Sequence, residues 1–217
     1  MGDTQSVSIE IPEALSDIKI SAYKKFITLA DEENADEIAV YQFCGLTPDQ
    51  QEKMKKNDLD EIRYQIAEVL SQKPNLIKTF TFKGKEYGFH PKLEDISLGE
   101  YIDLDQYLKE PYKNAEKVLG VLNRPITKKM FGRYDIENYD PDVHDGLGFQ
   151  DLGTDILLGC LLFFYRLEIN LQVTFLQSLE KEGKETPLMS NLNSPESGVG
   201  MEQYIKLLKV ISSNLKE

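Results

Sequence analysis

Between residues 13 and 73 the apolar positions recur every three or four residues, the spacing of helices that each bury one face. Ser21 can cap a helix from Ala22, with Tyr23, Phe26, Ile27 and Ala30 on one side, and a second helix runs from about Ala35 to Phe43 before Gly45 ends it. Thr47-Pro48-Asp49-Gln50 is a capping box with proline at the first helical position. Asp58 opens another helix, in which Leu59, Ile62, Ile66, Val69 and Leu70 keep the spacing up to Pro74. Ahead of all these, Val7 to Ile11 alternates at period two, which predicts a short strand stopped by Pro12.

The period changes at Leu76. Residues 76 to 82 alternate, Lys83-Gly84 supplies a turn, and Lys85 to Phe89 alternate again, so 76–90 reads as a β-hairpin. Helical spacing returns over 97–123. Ser97-Leu98-Gly99-Glu100 is a second capping box, Leu104, Tyr107 and Leu108 follow it, and a further helix through Val118 and Leu122 ends before Arg124-Pro125. Residues 127–149 carry Gly, Tyr, Asp and Pro without a helical period, which predicts an ordered loop with at most a short strand at Arg133 to Glu137. The longest helical pattern covers 152–180, apolar all round at first and amphipathic later. Residues 181–198 read as a linker, and 199–217 as a C-terminal helix with Tyr204, Leu207, Leu208 and Ile211 on one side.

The expected class is therefore α+β, mostly α: one compact domain over 1–180 with a single hairpin and a long central helix, followed by the linker and the last helix. A length of 217 residues and 41% hydrophobic composition suit one folded core. The ten-residue apolar run Ile156 to Tyr165 is about half of what a membrane span needs, so it reads as a buried helix. The polar start from Met1 to Ser6 has no basic-then-apolar signal pattern, and the two cysteines, Cys44 and Cys160, form no disulfide framework; a cytoplasmic setting is expected.

Charge narrows the partners. Thirty-seven carboxylates against 25 Lys and Arg give a net charge of -12, which opposes binding to nucleic acid. Chemistry finds little purchase. Asp140-Pro141-Asp142-Val143-His144-Asp145 is the densest group of possible ligands, but its spacing matches neither an EF-hand nor a zinc pattern, so a metal-dependent enzyme built on this loop ranks last among the readings. No spacing sets Cys44, Cys160 or a serine beside His90 or His144 for nucleophilic catalysis. Gly146-Leu147-Gly148 precedes an apolar helix and lacks the third glycine of a phosphate loop. No catalytic residue, cofactor or metal is expected. The candidate partner-binding residues are the loop aromatics Phe131, Tyr134, Tyr139 and Phe149, with Tyr204, Leu207, Leu208 and Ile211 of the last helix, since aromatic and large apolar side chains anchor interfaces.

The run Phe80 to Pro91, then Leu98-Gly99-Glu100-Tyr101-Ile102-Asp103-Leu104, then Asn123-Arg124-Pro125-Ile126, resembles a family of small tailed-bacteriophage proteins over roughly residues 8 to 180. The resemblance implies a non-enzymatic assembly chaperone that binds a tail or virion component in the host cytoplasm, the tape-measure protein being one candidate, with oligomers allowed. It gives Gly99, Glu100, Arg124 and Pro125 structural roles and supplies no catalytic residue. The competing reading is a structural virion component such as a connector, ring or cargo protein.

Overall fold

The computed structural model describes residues 9–144 and 147–181, and the chain divides into two units, residues 1–162 and 163–217. The class is α+β and mostly helical, with eight α-helices and four strands among the described residues.

Four helices open the first unit: α1 (Ile20–Leu29), α2 (Ala35–Cys44), α3 (Pro48–Glu52) and α4 (Lys56–Leu70). Gly45 ends α2 at φ 73, a conformation that costs glycine little because it has no Cβ. The box at the head of α3 forms as its sequence dictates: Gln50 N–H donates to the Thr47 hydroxyl while Thr47 N–H donates to Gln50 Oε1. Ala39, Val40, Leu46, Ile62 and Ile66 close a buried cluster between α2 and α4. Ile9 and Ile11 lean on that cluster without forming a strand, while Val7 and Ser8 lie outside the described residues.

Helix α1 begins two residues before the expected Ala22, at Ile20, and its cap is not a side chain. Instead Ile20 N–H donates to Leu152 O at 2.9 Å, and Thr154 N–H, the first of α8 (Thr154–Lys181), donates to Ile18 O at 2.8 Å. Lys19 and Gly153 pair between them. Each helix thus satisfies one of the other's unbonded leading amides, which explains a helix start with no polar side chain to mark it. A Cβ on Gly153 would meet the Ser16 backbone at 2.7 Å, so this crossing needs glycine.

The sheet is larger than the single hairpin expected. Strands β1 (Thr79–Phe82), β2 (Lys85–Phe89), β3 (Asn123–Met130) and β4 (Arg133–Ile136) lie side by side in that order, all antiparallel. Helix α5 (Leu98–Tyr107) follows β2, and α6 (Ala115–Leu122) runs into β3 with no loop between them. The segment 127–149 carries the short strand expected at Arg133 to Glu137, as β4, and is otherwise corrected from a loop to the outer half of β3 and the short helix α7 (Pro141–His144) before α8 begins. Proline is disfavoured in a central strand because it donates no bond to the ladder, yet Pro125 lies in β3 between β2 and β4. Its carbonyl accepts from Glu137 N at 2.9 Å, so its missing N–H also faces the β4 side, where the ladder ends beside a bulge between Ile126 and Lys128.

Register divides the sheet's side chains between two faces. Phe80, Phe82, Tyr87 and Phe89 share one face, where Phe149 stacks edge-on to Phe80, Phe82 and Tyr87 at 5.2–6.1 Å between centroids. Gly88 and Arg124 pair on the other face, beneath the Tyr134 ring. Among the described residues no helix is long and apolar enough to cross a membrane.

Candidate functional site

Two turns of the same chemistry set one end of the sheet. In Phe82-Lys83-Gly84-Lys85 and in Met130-Phe131-Gly132-Arg133, both central residues have positive φ: Lys83 48 and Gly84 78 in the first, Phe131 50 and Gly132 75 in the second. Both are two-residue turns of the primed kind, whose twist matches that of the strands they join. β3 is antiparallel to β2, with Tyr87 opposite Pro125, so both turns project from the same end. An ion pair between Lys129 and Glu86 ties the two hairpins together there.

This end carries a local excess of positive charge. Lys83, Lys85, Lys128, Lys129 and Arg133 are exposed on it, with Glu86 and Asp135 the carboxylates among the same strand and turn residues, in a protein of net charge -12. At its tip the Phe131 side chain is 97% exposed and Met130 55% exposed. A left-handed backbone costs a non-glycine residue roughly 1–2 kcal/mol, and here no burial of the ring offsets it. Such a phenylalanine presents apolar area to whatever meets this end.

The other sequence candidates sit differently. Phe149 is fully buried and belongs to the sheet core, which corrects its reading as a surface aromatic of the loop. Tyr134 is half-buried, its hydroxyl donating to Phe89 O at 2.7 Å with Lys78 O at 3.1 Å, so it closes the sheet over Gly88. The Tyr139 hydroxyl donates to Asp103 Oδ2 at 2.9 Å and holds the segment after β4 against α5. Phe131 alone of the four stands free of the fold's interior. Tyr204, Leu207, Leu208 and Ile211 lie outside the described residues.

Below the sheet's other end is a buried charged group that sequence reading missed. Glu100 sits at the third position of α5, where its carboxylate accepts from Ser97 N–H at 2.7 Å as the box requires. The same carboxylate meets Arg124 Nη1 at 2.5 Å, both side chains about 5% exposed or less, and His90 Nε2 lies 3.7 Å away. The Arg124 guanidinium also faces the Tyr139 ring, 5.8 Å from its centroid. Burial pushes the Glu100 carboxyl up, but Ser97 and Arg124 outweigh it and hold the group below its ordinary value. Burial, and then Arg124, lower His90. The group fastens α5 to the sheet. Its signal in the sequence was the capping box itself, since a glutamate bound at a helix start is already part of the way to a buried acceptor.

The cysteines are thiols: burial pushes Cys160 up to about 12 and Cys44 up to about 11. Of the Asp140 to Asp145 segment, Asp140 Oδ1 accepts from Asp142 N–H at 3.0 Å, while Asp145 and the His144 side chain lie outside the described residues. Among the described residues no group of three His, Cys, Asp or Glu side chains is placed to hold a metal. Compared with protein-family models, with curated proteins and with solved structures, the chain finds no match in any of the three.

Proposed function

We propose that this protein is a bacteriophage assembly protein, acting in the host cytoplasm without catalysing a reaction, that binds a tail or virion component through the paired-hairpin end of its sheet. One observation carries the binding role: an aromatic side chain 97% exposed on a strained turn, ringed by cations in an acidic chain. That residue contributes area to an interface and costs the fold stability. The viral assignment is supported by the likeness of the hairpin, the Leu98 to Leu104 segment and the Asn123 to Ile126 segment to small tailed-phage proteins.

The test is capture from infected cells with the tagged protein and with its Phe131→Asn variant, followed by mass spectrometry. The expected result is a tail or virion protein held by the wild type and lost with the variant, since asparagine tolerates the turn but offers no ring. Recovery of no virion protein, or equal recovery by the variant, overturns the reading. Assay of purified particles separates the two viral roles: a chaperone is absent from them, and a structural component is present at stoichiometric level.

A further inference from the structure

We infer that the hairpin end also docks on a second copy of this chain, at the acidic corner formed by the end of α1 and the turn into α2. The inference rests on the reading of the hairpin as a docking end and is independent of the viral assignment. The argument is charge and polarity complementarity between two surfaces of one molecule. From residue 26 to residue 52 the chain has no Lys, Arg or His, and the five carboxylates of the turn and the start of α2, Asp31, Glu32, Glu33, Asp36 and Glu37, are all exposed; α3 beyond them carries Asp49 and Glu52 but is followed at once by the exposed Lys53, Lys55 and Lys56. Leu29, two residues before Asp31, is 52% exposed, and Ile27 and Tyr41 are about 40% exposed on α1 and α2. The turn thus sets an exposed leucine beside five carboxylates, and the hairpin end sets exposed apolar side chains beside cations.

A second copy fits better than a polyanionic surface. A membrane of acidic lipids or a nucleic acid strand would bring extended negative charge against a protein of net charge -12. Against another copy, only the tip and its five cations meet only the corner, and at physiological salt charges farther apart than about 8 Å are largely screened. The two surfaces are different, so each chain carries one donor tip and one acceptor corner. Repetition then closes reciprocally into a two-fold dimer, closes into a larger ring, or continues as a filament.

Complementary variants of the full chain test this by sedimentation velocity across a concentration series. Phe131→Asn spoils the tip and leaves the corner; Glu32→Lys with Glu33→Lys spoils the corner and leaves the tip. All three positions are exposed, so circular dichroism is expected to show unchanged folding. Wild type is expected to form dimers or larger species as concentration rises, and each variant alone to associate at least about tenfold more weakly. An equimolar mixture of the two variants is expected to form a two-chain species and nothing larger, because it contains one intact tip and one intact corner per pair. A wild type that stays monomeric to its highest soluble concentration, a Phe131→Asn chain that associates normally, or a mixture that fails to pair overturns the inference. So does binding of wild type to acidic lipid vesicles or to single-stranded DNA in place of self-association. If the chain stays monomeric while Phe131-dependent capture of a virion protein persists, the self-docking inference falls and the proposed function stands.

Discussion

Replacing Glu100 with glutamine removes a charge from the buried group below the sheet while leaving the helix start intact, because glutamine serves the third position of a capping box as well as glutamate does. What remains is Arg124, its side chain 4% exposed, with its guanidinium facing a neutral amide in place of a carboxylate 2.5 Å away. Breaking a buried pair by removing one partner costs about 3–5 kcal/mol, since the surviving charge keeps its desolvation penalty. A domain of this size holds about 5–15 kcal/mol in all, so the variant is expected to fold but to lose a large share of its margin. Urea unfolding followed by far-ultraviolet circular dichroism reads the loss as a lower midpoint at unchanged slope. The second arm adds Arg124→Met. Removing both charges is expected to recover at least half of the loss, as an apolar replacement for a buried pair is often neutral. A loss below about 1 kcal/mol for Glu100→Gln, or a double variant no more stable than the single one, would refute the claim that the pair fastens α5 to the sheet.

The same group makes stability depend on pH in a defined direction. The folded His90 pKa lies below 6.5, so as pH falls through 6.5 the unfolded chain gains a proton that the folded one refuses, and stability drops; the Glu100 contribution is present above about 4.5 and is lost as pH falls through its lower folded value. His90→Asn is expected to remove the first of these declines in urea titrations at pH 5 to 8, and an unchanged profile would count against it. Phe131→Gly trades a strained residue for one at ease in the left-handed region, and with the ring already exposed the melting temperature is expected to hold or rise by up to about 3 °C; a fall of several degrees would mean that the ring supports the fold. Gly88→Ala is expected to destabilise the chain by about 1–3 kcal/mol in the same unfolding assay, because a Cβ there falls inside the Tyr134 ring. Cys160 is expected to resist thiol-labelling reagents at neutral pH until the chain unfolds, which mass spectrometry of labelled protein reads directly.

Helices marked by caps were legible to within a residue or two: Thr47 and Ser97 start α3 and α5, Gly45 ends α2, and the long apolar pattern gives α8. The first hairpin was legible because both of its strands alternate. Of the second, β4 was legible as the short strand at Arg133 to Glu137 but its partner β3 was not, although Phe131-Gly132 has the same turn chemistry as Lys83-Gly84. Thr127-Lys128-Lys129 lies on an exposed stretch of β3, where neither face is buried, and such a strand leaves no alternation to read. The Pro125 position conceals the strand further, since its lack of a donor is harmless only because of where the neighbouring ladder ends. Among the site residues, Phe131 was singled out for its residue type within a loop; its exposure follows from a turn that puts it at a tip. Phe149 was misjudged because composition around a residue does not say which strands will close over it.

The mutual capping of α1 and α8 has a consequence for biosynthesis. Ile20 cannot complete its leading bond until Leu152 exists, and at about 5–20 residues per second a ribosome needs on the order of ten seconds or more to make the intervening chain. During that interval the first four helices stand without the partner that fixes where the first of them begins. Contacts this far apart in sequence are made late and at high entropic cost, so the nascent chain is expected to acquire protease resistance in one step, once the beginning of α8 has cleared the exit tunnel.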